Sequence, residues 1–279
     1  MVEPHLVRRS HHKADPVYDF LFEYYSFRPS YLRKWSPGFG VTLENATIID
    51  FPQQDNFVAT PEGLTLGVHR IEPHFADRTR WIRDMLIATQ ERPAHFGCFG
   101  LHEWAMLYRT TDPRHAHVKL RVSPSELATV VENGPMNCTH FDAFRFFTPQ
   151  AKPLNAKPLT RDDMNLSEQR GCLHANMDVY RWAFKRYPWI SSNLIMDAFE
   201  LAMEIRLLDM AASPYDLLEE GVKPVRIETL DGRSEYLEQQ KSFSDRAYHL
   251  RATLIEAYDG LLKALYPTEE SFANNPMSS

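Results

Sequence analysis

A segment near position 100 carries polar side chains but has no solvent-facing stripe on which to place them. Residues 95–108 read HFGCFGLHEWAMLY, and a helix that starts at Phe99 is apolar on every side. Such a helix belongs inside a protein, so we expect His102 and Glu103 to be buried. A buried imidazole or carboxylate must be paired, hydrogen-bonded or shifted in pKa, and such groups often carry out acid-base chemistry. The segment therefore predicts a core helix and a candidate site together.

The size of the chain allows one large hydrophobic core. It has 279 residues, of which 43% are hydrophobic, and no low-complexity linker divides it. We expect a single domain over residues 1–279, with the Pro-rich connection at 149–158 as a boundary between sub-regions. The three cysteines are far apart in the sequence and form no CxxC pair, so neither a zinc ribbon nor a disulfide framework is indicated.

The charge balance bears on the class of partner. The formal net charge of −6 argues against a strongly basic surface of the kind that binds nucleic acid non-specifically. Net charge does not exclude a local basic groove. No run reaches the roughly 18–20 apolar residues that a bilayer span needs, and the first residues do not form a secretory signal. These features predict a cytoplasmic protein with no membrane partner.

The hydrophobic pattern predicts a mainly α protein with a minor β element, an α+β chain with a helical core and a small antiparallel sheet. Helices are expected at residues 16–25, 73–92, 99–108 and 123–134, and at about 160–170, 172–187, 191–211 and 233–266. Strands are expected at 46–51, 56–60, 64–68, 117–122, 137–147 and 225–230.

Two of these elements carry polar residues among apolar ones. In a strand over 137–147, His140 and Asp142 would share one aromatic face, which indicates either a site or ordinary edge hydrogen bonds. In the helix at 191–211, Asp209 falls within the apolar stripe and needs a partner, such as Arg206, His102 or His140. A buried ion pair and a catalytic carboxylate both fit that position.

Metal-ligating patterns in the sequence are weak. Glu200 and Glu204 have the spacing of carboxylates in helical di-iron proteins, but the expected Glu-x-x-His partners are missing, so a solvated acidic face is favoured. His174 and Asp178 are one turn apart, but Arg181 and Lys185 follow on the same face, which favours a solvated or ion-paired surface. The chain has no HExxH motif, so the sequence neither specifies a metal site nor excludes one.

Common nucleotide-binding and hydrolase motifs are also absent from the sequence. It contains no GxGxxG, no GxxxxGK[ST] and no GxSxG. Nucleotide binding through a glycine-rich loop of either kind and α/β-hydrolase chemistry therefore have no support from motifs.

Several long strings resemble one bacterial family. The chain is similar to an actinobacterial family commonly labelled 3-methyladenine DNA glycosylase, from about residue 11 to 260. The strings that carry the resemblance are DFLFEYYSFRPSYLRKWSPG (19–38), PAHFGCFGLHEWAMLYR (93–109), HFDAFRFFTP (140–149), GCLHANMDVYRWA (171–183) and LDMAASPYDL (208–217).

The resemblance implies base-excision repair by cleavage of the N-glycosidic bond of alkylated purines, with alkylated DNA as the partner and no cofactor expected. Such an enzyme needs an aromatic pocket for the flipped base, a carboxylate near the sugar and basic residues for phosphates. The catalytic candidates in this chain are His102, Glu103, His140, Asp142 and Asp209. The substrate-binding candidates are Trp35, Trp104, Tyr108, Phe144, Phe146 and Arg206.

Two further functions stay open. The abundance of histidines and acids among aromatic residues fits a helical enzyme acting on a small molecule, with iron or another metal held by some of His102, His140, His174 and nearby carboxylates. A non-catalytic binding protein whose buried polar groups only fix the fold is the third possibility.

The chain has neither the helix-hairpin-helix motif nor the zinc-binding pattern that mark other glycosylase families.

Overall fold

The computed structural model describes residues 2–13, 15–51, 54–111 and 118–266. As predicted, the fold is mainly α with one small antiparallel sheet. The helices are α1 (Val2–Ser10), α2 (Phe20–Tyr24), α3 (Pro73–Glu91), α4 (Leu101–Ala105), α5 (Pro124–Asn133), α6 (Phe141–Phe144), α7 (Met164–Ser167), α8 (Leu173–Phe184), α9 (Ser192–Ala211) and α10 (Leu230–Leu265). The strands are β1 (Thr42–Leu43), β2 (Phe57–Thr60) and β3 (Gly63–Leu66).

The core is built around α8 and α9, which pack against each other, and α10 lies against both and against α3. Almost every side chain of α8 is buried, because α9 and α10 pack against it. The short helix α4 is buried over its whole length. This arrangement brings polar residues of α4, α8 and α9 into the same interior.

The sheet has its own small apolar cluster. Its strand order is β1–β3–β2, with both pairs antiparallel and Val58 opposite Thr65. Phe57, Leu64 and Leu66 form a buried cluster separate from the main core. Trp189, just before α9, packs against it and donates a hydrogen bond from Nε1 to the carbonyl of Gly67 over 2.9 Å. The sheet thus joins the helical body through few side chains.

Several helix predictions are confirmed by elements that have strong local signals. Proline or serine marks the start of α3, α5 and α9, and the observed ends lie within a residue or two of the predicted ones. The Ser123 hydroxyl accepts a hydrogen bond from the amide of Glu126, as an N-cap should. None of the described helices is both long and apolar enough to cross a bilayer.

Other predicted helices are shorter or broken. Of residues 16–25 only 20–24 form an α-helix, because Asp15 caps a preceding turn through the amides of Val17 and Tyr18. The predicted helix at 99–108 is reduced to α4, since Phe99 and Gly100 both have positive φ and the helix begins after them. The segment 160–170 divides into a 3-10 turn at Arg161–Asp163 and α7.

Four predicted strands are wrong in whole or in part. Residues 46–51 contain a 3-10 turn at Ile48–Asp50, closed by reciprocal bonds between Thr47 and Asp50. Residues 225–230 are not a strand, and Thr229 instead caps α10. In the segment 117–122, residue 117 lies outside the described residues, and the remainder makes one isolated bridge, from Leu120 to Tyr215. Short apolar runs are ambiguous between strand, turn and helix, and tertiary packing decides.

The segment 137–147 is the fourth and the most consequential error. It holds α6 rather than a strand, and the His140 ring caps that helix by accepting a bond from the amide of Ala143 over 3.2 Å. His140 and Asp142 therefore do not share a strand face. Aromatic residues pack well in strands, but here Phe144 and Phe147 fill the helical core instead.

Candidate metal centre

Three residues from separate helices meet in the interior. His102 lies in α4, His174 in the first turn of α8 and Asp209 near the end of α9. One donor atom of each lies within 4.8 Å of the others. Two atoms bound to one ion at about 2.1 Å are at most about 4.2 Å apart, so small side-chain rotations would let all three bind the same ion.

His102 and Asp209 form the tight part of this triad. His102 Nε2 lies 2.8 Å from Asp209 Oδ1, and the two residues are 3% and 0% exposed. The two atoms form an ion pair, but neither has an ordinary, well-aligned hydrogen bond with a described group. Buried polar atoms without partners are rare in folded proteins and need an explanation. Both atoms sit where a shared ligand would satisfy them.

Arg206 holds the carboxylate of the triad and a second one. Its Nη1 donates to Asp209 Oδ2 over 2.6 Å and to Glu103 Oε1 over 3.0 Å, and its guanidinium stacks on Phe20. Arg206, Glu103 and Asp209 are all buried. Two carboxylates thus face one guanidinium, and a second positive charge, that of the His102 imidazolium or of a metal ion that replaces its proton, balances them.

The two histidines of the triad have opposite electrostatic surroundings. Burial lowers the pKa of His102, but the charge of Asp209 and its contact with the ring, together with Cys98 and Glu103, outweigh burial and raise that pKa to about 10. Burial and the neighbouring His102 together hold the pKa of His174 well below its usual 6.5. The rings pack edge to face with centroids 4.3 Å apart. His174 therefore offers a neutral nitrogen, the form that binds metals, whereas His102 would release its proton when a metal ion takes that proton's place beside Asp209.

A second buried cluster lies beside the triad. His140 Nε2 lies 3.3 Å from Asp178 Oδ2 and 3.5 Å from Glu168 Oε1, and the His140 ring stacks on His174 at 5.3 Å. Burial lowers the pKa of His140, but the charge of Glu168 and the contact with Asp178 outweigh it, so the pKa is raised. Burial raises the pKa of Glu168 to about 7.

Asp178 is the anchor of this second cluster. It accepts a hydrogen bond from the Tyr25 hydroxyl over 2.6 Å and one from Arg181 Nη1 over 3.1 Å. Arg181 also donates to Asp142 over 2.7 Å. Burial raises the pKa of Asp178, but its bond with His140 and the charge of Arg181 outweigh burial and lower it. Of the two alternatives predicted for this face, a solvated or an ion-paired one, Asp178 has the ion pair and is buried.

The structure separates the predicted catalytic residues into two groups. His102, Glu103 and Asp209 meet around Arg206. Arg206 and His102 are two of the three partners expected for Asp209. His140 belongs to the second cluster, and Asp142 lies at its half-buried edge with Arg181 and Arg145.

The predicted stacking aromatics lie in different places. Trp104 is fully buried and donates to the carbonyl of Ala212, whereas Tyr108 donates to Glu132. Phe144 packs on Phe147, and Arg145 lies over the ring of Phe146. Trp35 is 49% exposed and lies beside Phe51. Most of these rings are engaged in packing rather than gathered around one pocket.

Sequence reasoning missed Glu168 and was divided on His174. The cations that follow His174 on its helix favoured a solvated or ion-paired surface, whereas the metal hypothesis named it as a candidate ligand, and the structure places it beside His102 and Asp209. Glu168 gave no signal, because it follows the short helix α7 and enters the core only through tertiary packing. The expected acidic face is confirmed, since Glu200 and Glu204 are exposed.

A small cleft borders the triad. Its volume is about 220 Å³, and Arg206 and Glu103 form part of its wall. The other lining residues are Asp15, Pro16, Phe20, Glu23, Tyr24 and Met106. Arg206 lines this cleft and also bonds Asp209, so it connects the solvent-facing cleft with the buried triad.

Comparison with known proteins gives no relative for this chain. A scan against models of protein families finds no match. A search of curated proteins and a search of solved structures also find none. The function has to be inferred from the geometry of the site and from the sequence.

Proposed function

We propose that the protein is a metal-dependent enzyme acting on a small molecule, in which His102, His174 and Asp209 hold one divalent transition-metal ion. One observation carries the proposal: two imidazoles and a carboxylate have donor atoms within 4.8 Å of one another in the protein interior. Two of those atoms, His102 Nε2 and Asp209 Oδ1, form an ion pair with each other and have no well-aligned hydrogen bond among the described residues.

The donor set favours a particular class of metal. Two histidines and one carboxylate that leave other positions open are typical of non-haem iron(II) sites, and the same donors also suit zinc. Calcium and magnesium prefer sites made of oxygen donors, which this triad is not. A bound ion would supply Lewis acidity and activate a water molecule or a substrate oxygen.

The chain itself supplies the remaining parts of a site. Arg206 fixes the orientation of Asp209 through its 2.6 Å bond and places Glu103 against the small cleft. Glu103 Oε1 lies 4.0 Å from His102 Nε2, so a carboxylate stands close to the ligand set without belonging to it. A substrate in the cleft would meet Glu103, which is positioned to accept a proton.

Metal analysis tests this proposal directly. Protein made without a polyhistidine tag would be depleted of metal, reconstituted with iron(II), zinc or cobalt(II) in turn, desalted and analysed for metal content. We expect about one ion per chain in the wild type and a loss of at least tenfold in His174→Ala. Cobalt(II) should also give visible absorption bands of a nitrogen-coordinated ion that His174→Ala lacks.

His249→Ala is the matched control, because His249 is an exposed histidine on α10 far from the triad in sequence. It should bind metal like the wild type. Equal metal content in wild type, His249→Ala and His174→Ala would show adventitious binding and overturn the proposal, as would no binding of any of the three metals. Circular dichroism checks that His174→Ala is folded.

The resemblance to 3-methyladenine DNA glycosylases gives a second candidate function, excision of an alkylated purine. The composition of the small cleft favours it. An N3-alkylated adenine is an aromatic cation, and the cleft combines the rings of Phe20 and Tyr24 with three acids, Asp15, Glu23 and Glu103, against one cation, Arg206, which lies over Phe20.

Release of free 3-methyladenine from methylated duplex DNA tests this second candidate. If it holds, Glu103→Gln should lower release at least a hundredfold, whereas Glu200→Gln, an exposed residue of α9, should leave it unchanged. No release above background by wild-type protein, with and without added metal, would remove the candidate. Metal analysis is unaffected by that result, so the two functions are separable.

A further inference from the structure

A larger cleft, lined by cationic residues, opens on another part of the molecule. Its volume is about 760 Å³, and residues of α2, α3, α6 and α8 contribute to its wall. The cations lining it are Arg78, Arg145, Arg161, Arg181, Lys185 and Arg186. Only two carboxylates, those of Asp142 and Asp162, stand among the lining residues. This excess of positive charge contrasts with the formal net charge of −6 of the whole chain.

Arg186 gives the cleft a buried cation with an unused donor. The residue is 5% exposed, its Nε donates to Thr79 Oγ1 over 2.7 Å and its Nη1 donates to the carbonyl of Lys185 over 2.9 Å. Its Nη2 is buried and has no hydrogen-bond partner among the described residues. The guanidinium lies over the Phe75 ring and has no carboxylate beside it, so an anionic ligand that reached the unused donor would stabilise it.

The neighbouring cations support the same conclusion. Lys185 stands beside Arg181, Arg186 and Arg78, and burial together with these three charges lowers its pKa. Like charges placed this close repel one another, and an anion bound between them would relieve the repulsion. Arginine side chains are well suited to phosphate because their planar forks donate two parallel hydrogen bonds.

Aromatic rings form another part of the wall. Trp81 is 43% exposed and meets Trp182 edge to face, with ring centroids 6.0 Å apart. Tyr24, Tyr25 and Phe27 line the same cleft. An exposed indole beside half-buried rings offers a stacking surface for a flat aromatic group.

We propose that this cleft binds a small molecule that joins an aromatic ring to a phosphate group, the class of nucleoside monophosphates. Arg78, Arg161, Lys185 and Arg186 would hold the phosphate, since Arg145 and Arg181 are already paired with carboxylates, and Trp81 would stack on the ring. The enclosed volume and the two carboxylates in the wall favour a compact ligand over a long polyanion. This binding site is separate from the metal triad, and the proposal does not depend on the metal.

Calorimetric titration with adenosine 5′-monophosphate, adenosine and ribose 5-phosphate tests the proposal. The wild type should bind the nucleotide at least tenfold more tightly than either fragment, because each fragment lacks half of the contacts. Arg186→Met and Arg161→Met should each weaken nucleotide binding at least fivefold, and Trp81→Leu should remove the advantage of the nucleotide over ribose 5-phosphate.

Arg80→Met is the matched control, since Arg80 lies on α3 near Arg78 but stacks on Tyr266 outside the cleft, and its binding should equal that of the wild type. Arg161 is exposed, so Arg161→Met keeps the test valid if Arg186→Met fails to fold. No nucleotide binding by the wild type, or equal weakening in Arg80→Met and Arg161→Met, would overturn the proposal. Tighter binding of a twelve-nucleotide single strand than of the mononucleotide would replace it with a nucleic-acid groove.

Discussion

Arg206 is the residue on which the buried charges near the triad depend. It is 1% exposed and bonds two buried carboxylates, Glu103 and Asp209, so its removal leaves His102 as their remaining charged partner. The cost of breaking such a pair comes mainly from the uncompensated charge that stays behind. Its effect on stability should therefore be far larger than that of an exposed ion pair.

We predict that Arg206→Met lowers the free energy of unfolding by about 3–5 kcal/mol. Arg246→Met is the matched control, because Arg246 makes a two-pronged pair with Glu204 at 2.6 and 2.7 Å while both side chains are about half exposed. That change should cost less than about 1 kcal/mol. Urea unfolding of metal-free protein measures both, and equal losses in the two variants would contradict the prediction.

Asp19 gives the molecule an acid-sensitive contact away from the triad. It is 2% exposed, bonds Arg8 and accepts a hydrogen bond of 2.9 Å from His5 Nδ1. Burial raises the pKa of Asp19, but the bonds from Arg8 and His5 outweigh burial, so the pKa lies below its usual 3.8. A carboxyl with a lowered pKa stabilises the fold above its unfolded pKa, and that stability is lost as pH falls through the folded pKa.

The free energy of unfolding of the wild type should therefore decrease as the pH falls below about 4, and this contribution to the decrease should be missing in Asp19→Asn. At pH 7 the variant should be less stable by about 1–3 kcal/mol, because the Arg8 and His5 donors lose their charged acceptor. Asp197→Asn, at an exposed position on α9, should follow the wild type at every pH. Thermal unfolding between pH 2.5 and 7 measures this, and parallel curves for wild type and Asp19→Asn would refute it.

Residue burial was predictable from the sequence, whereas the identity of partners was only partly so. The apolar residues around His102, Glu103 and Asp209 in the sequence correctly predicted that these three are buried. Two of the three partners suggested for Asp209, His102 and Arg206, are observed. The surface interpretation of His174 failed because its neighbours along the helix were taken as its neighbours in space, although the metal hypothesis had named it as a ligand. In a buried helix such as α8, the packing of other elements decides which groups meet each residue.

At the scale of elements, the start of α9 is fixed by a close contact with an N-terminal segment. Ser36 accepts a bond from the amide of Ser192 over 3.0 Å, and the amide of Phe39 donates to the carbonyl of Trp189 over 2.8 Å. Gly38 lies between them with φ of +86°, and a Cβ there would lie 2.8 Å from the amide nitrogen of Ser191. Only glycine allows the two segments to approach this closely.

Gly38→Ala and Gly40→Ala form a matched pair that separates backbone strain from the clash. Gly40 has φ of +83°, but nothing lies within 4 Å of its added Cβ. Both variants should lose about 1 kcal/mol from the positive φ, and Gly38→Ala should lose at least about 1 kcal/mol more, because Ser191 must move. Chemical denaturation measures the difference, and equal losses would show that the segment and α9 are not tightly joined.

Elements were predictable where their signals are local. Proline or serine at the first positions and a regular apolar period predicted α3, α5 and α9, since both features depend on the helix itself. The aromatic segment 137–147 carried no such signal, and it was wrongly predicted as a strand. Its helix α6 depends on the His140 cap and on burial of Phe144 in the main core, neither of which is a property of the segment alone.

At the scale of the whole molecule, the described chain has two unequal apolar cores. The main cluster consists largely of buried side chains from the helices, whereas Phe57, Leu64 and Leu66 form a small cluster at the sheet. A small sheet is marginal without substantial packing, so it should open at a lower free energy than the helical body. The sequence predicted both strands of the β2–β3 pair, but their separation from the main core is a property of the tertiary structure.

Native-state hydrogen exchange of wild type and Ile205→Val tests this division. Ile205 is fully buried in the main core, and the change should cost about 0.5–1.5 kcal/mol. Amides of α8 exchange through global unfolding, so they should exchange roughly 2–10 times faster in the variant. Hydrogen-bonded amides of β2 and β3 should keep their wild-type rates, because Ile205 stays packed when only the sheet opens.

Leu66→Ala serves as the reciprocal variant, and it makes the outcome decisive. Leu66 is packed in the native state but released both when the sheet opens and when the whole chain unfolds, so this change should speed exchange in the sheet and in α8 alike. The two variants would then differ in their effect on the sheet and agree in their effect on α8. If Ile205→Val speeds exchange of the sheet amides as much as those of α8, the two cores unfold as one cooperative unit.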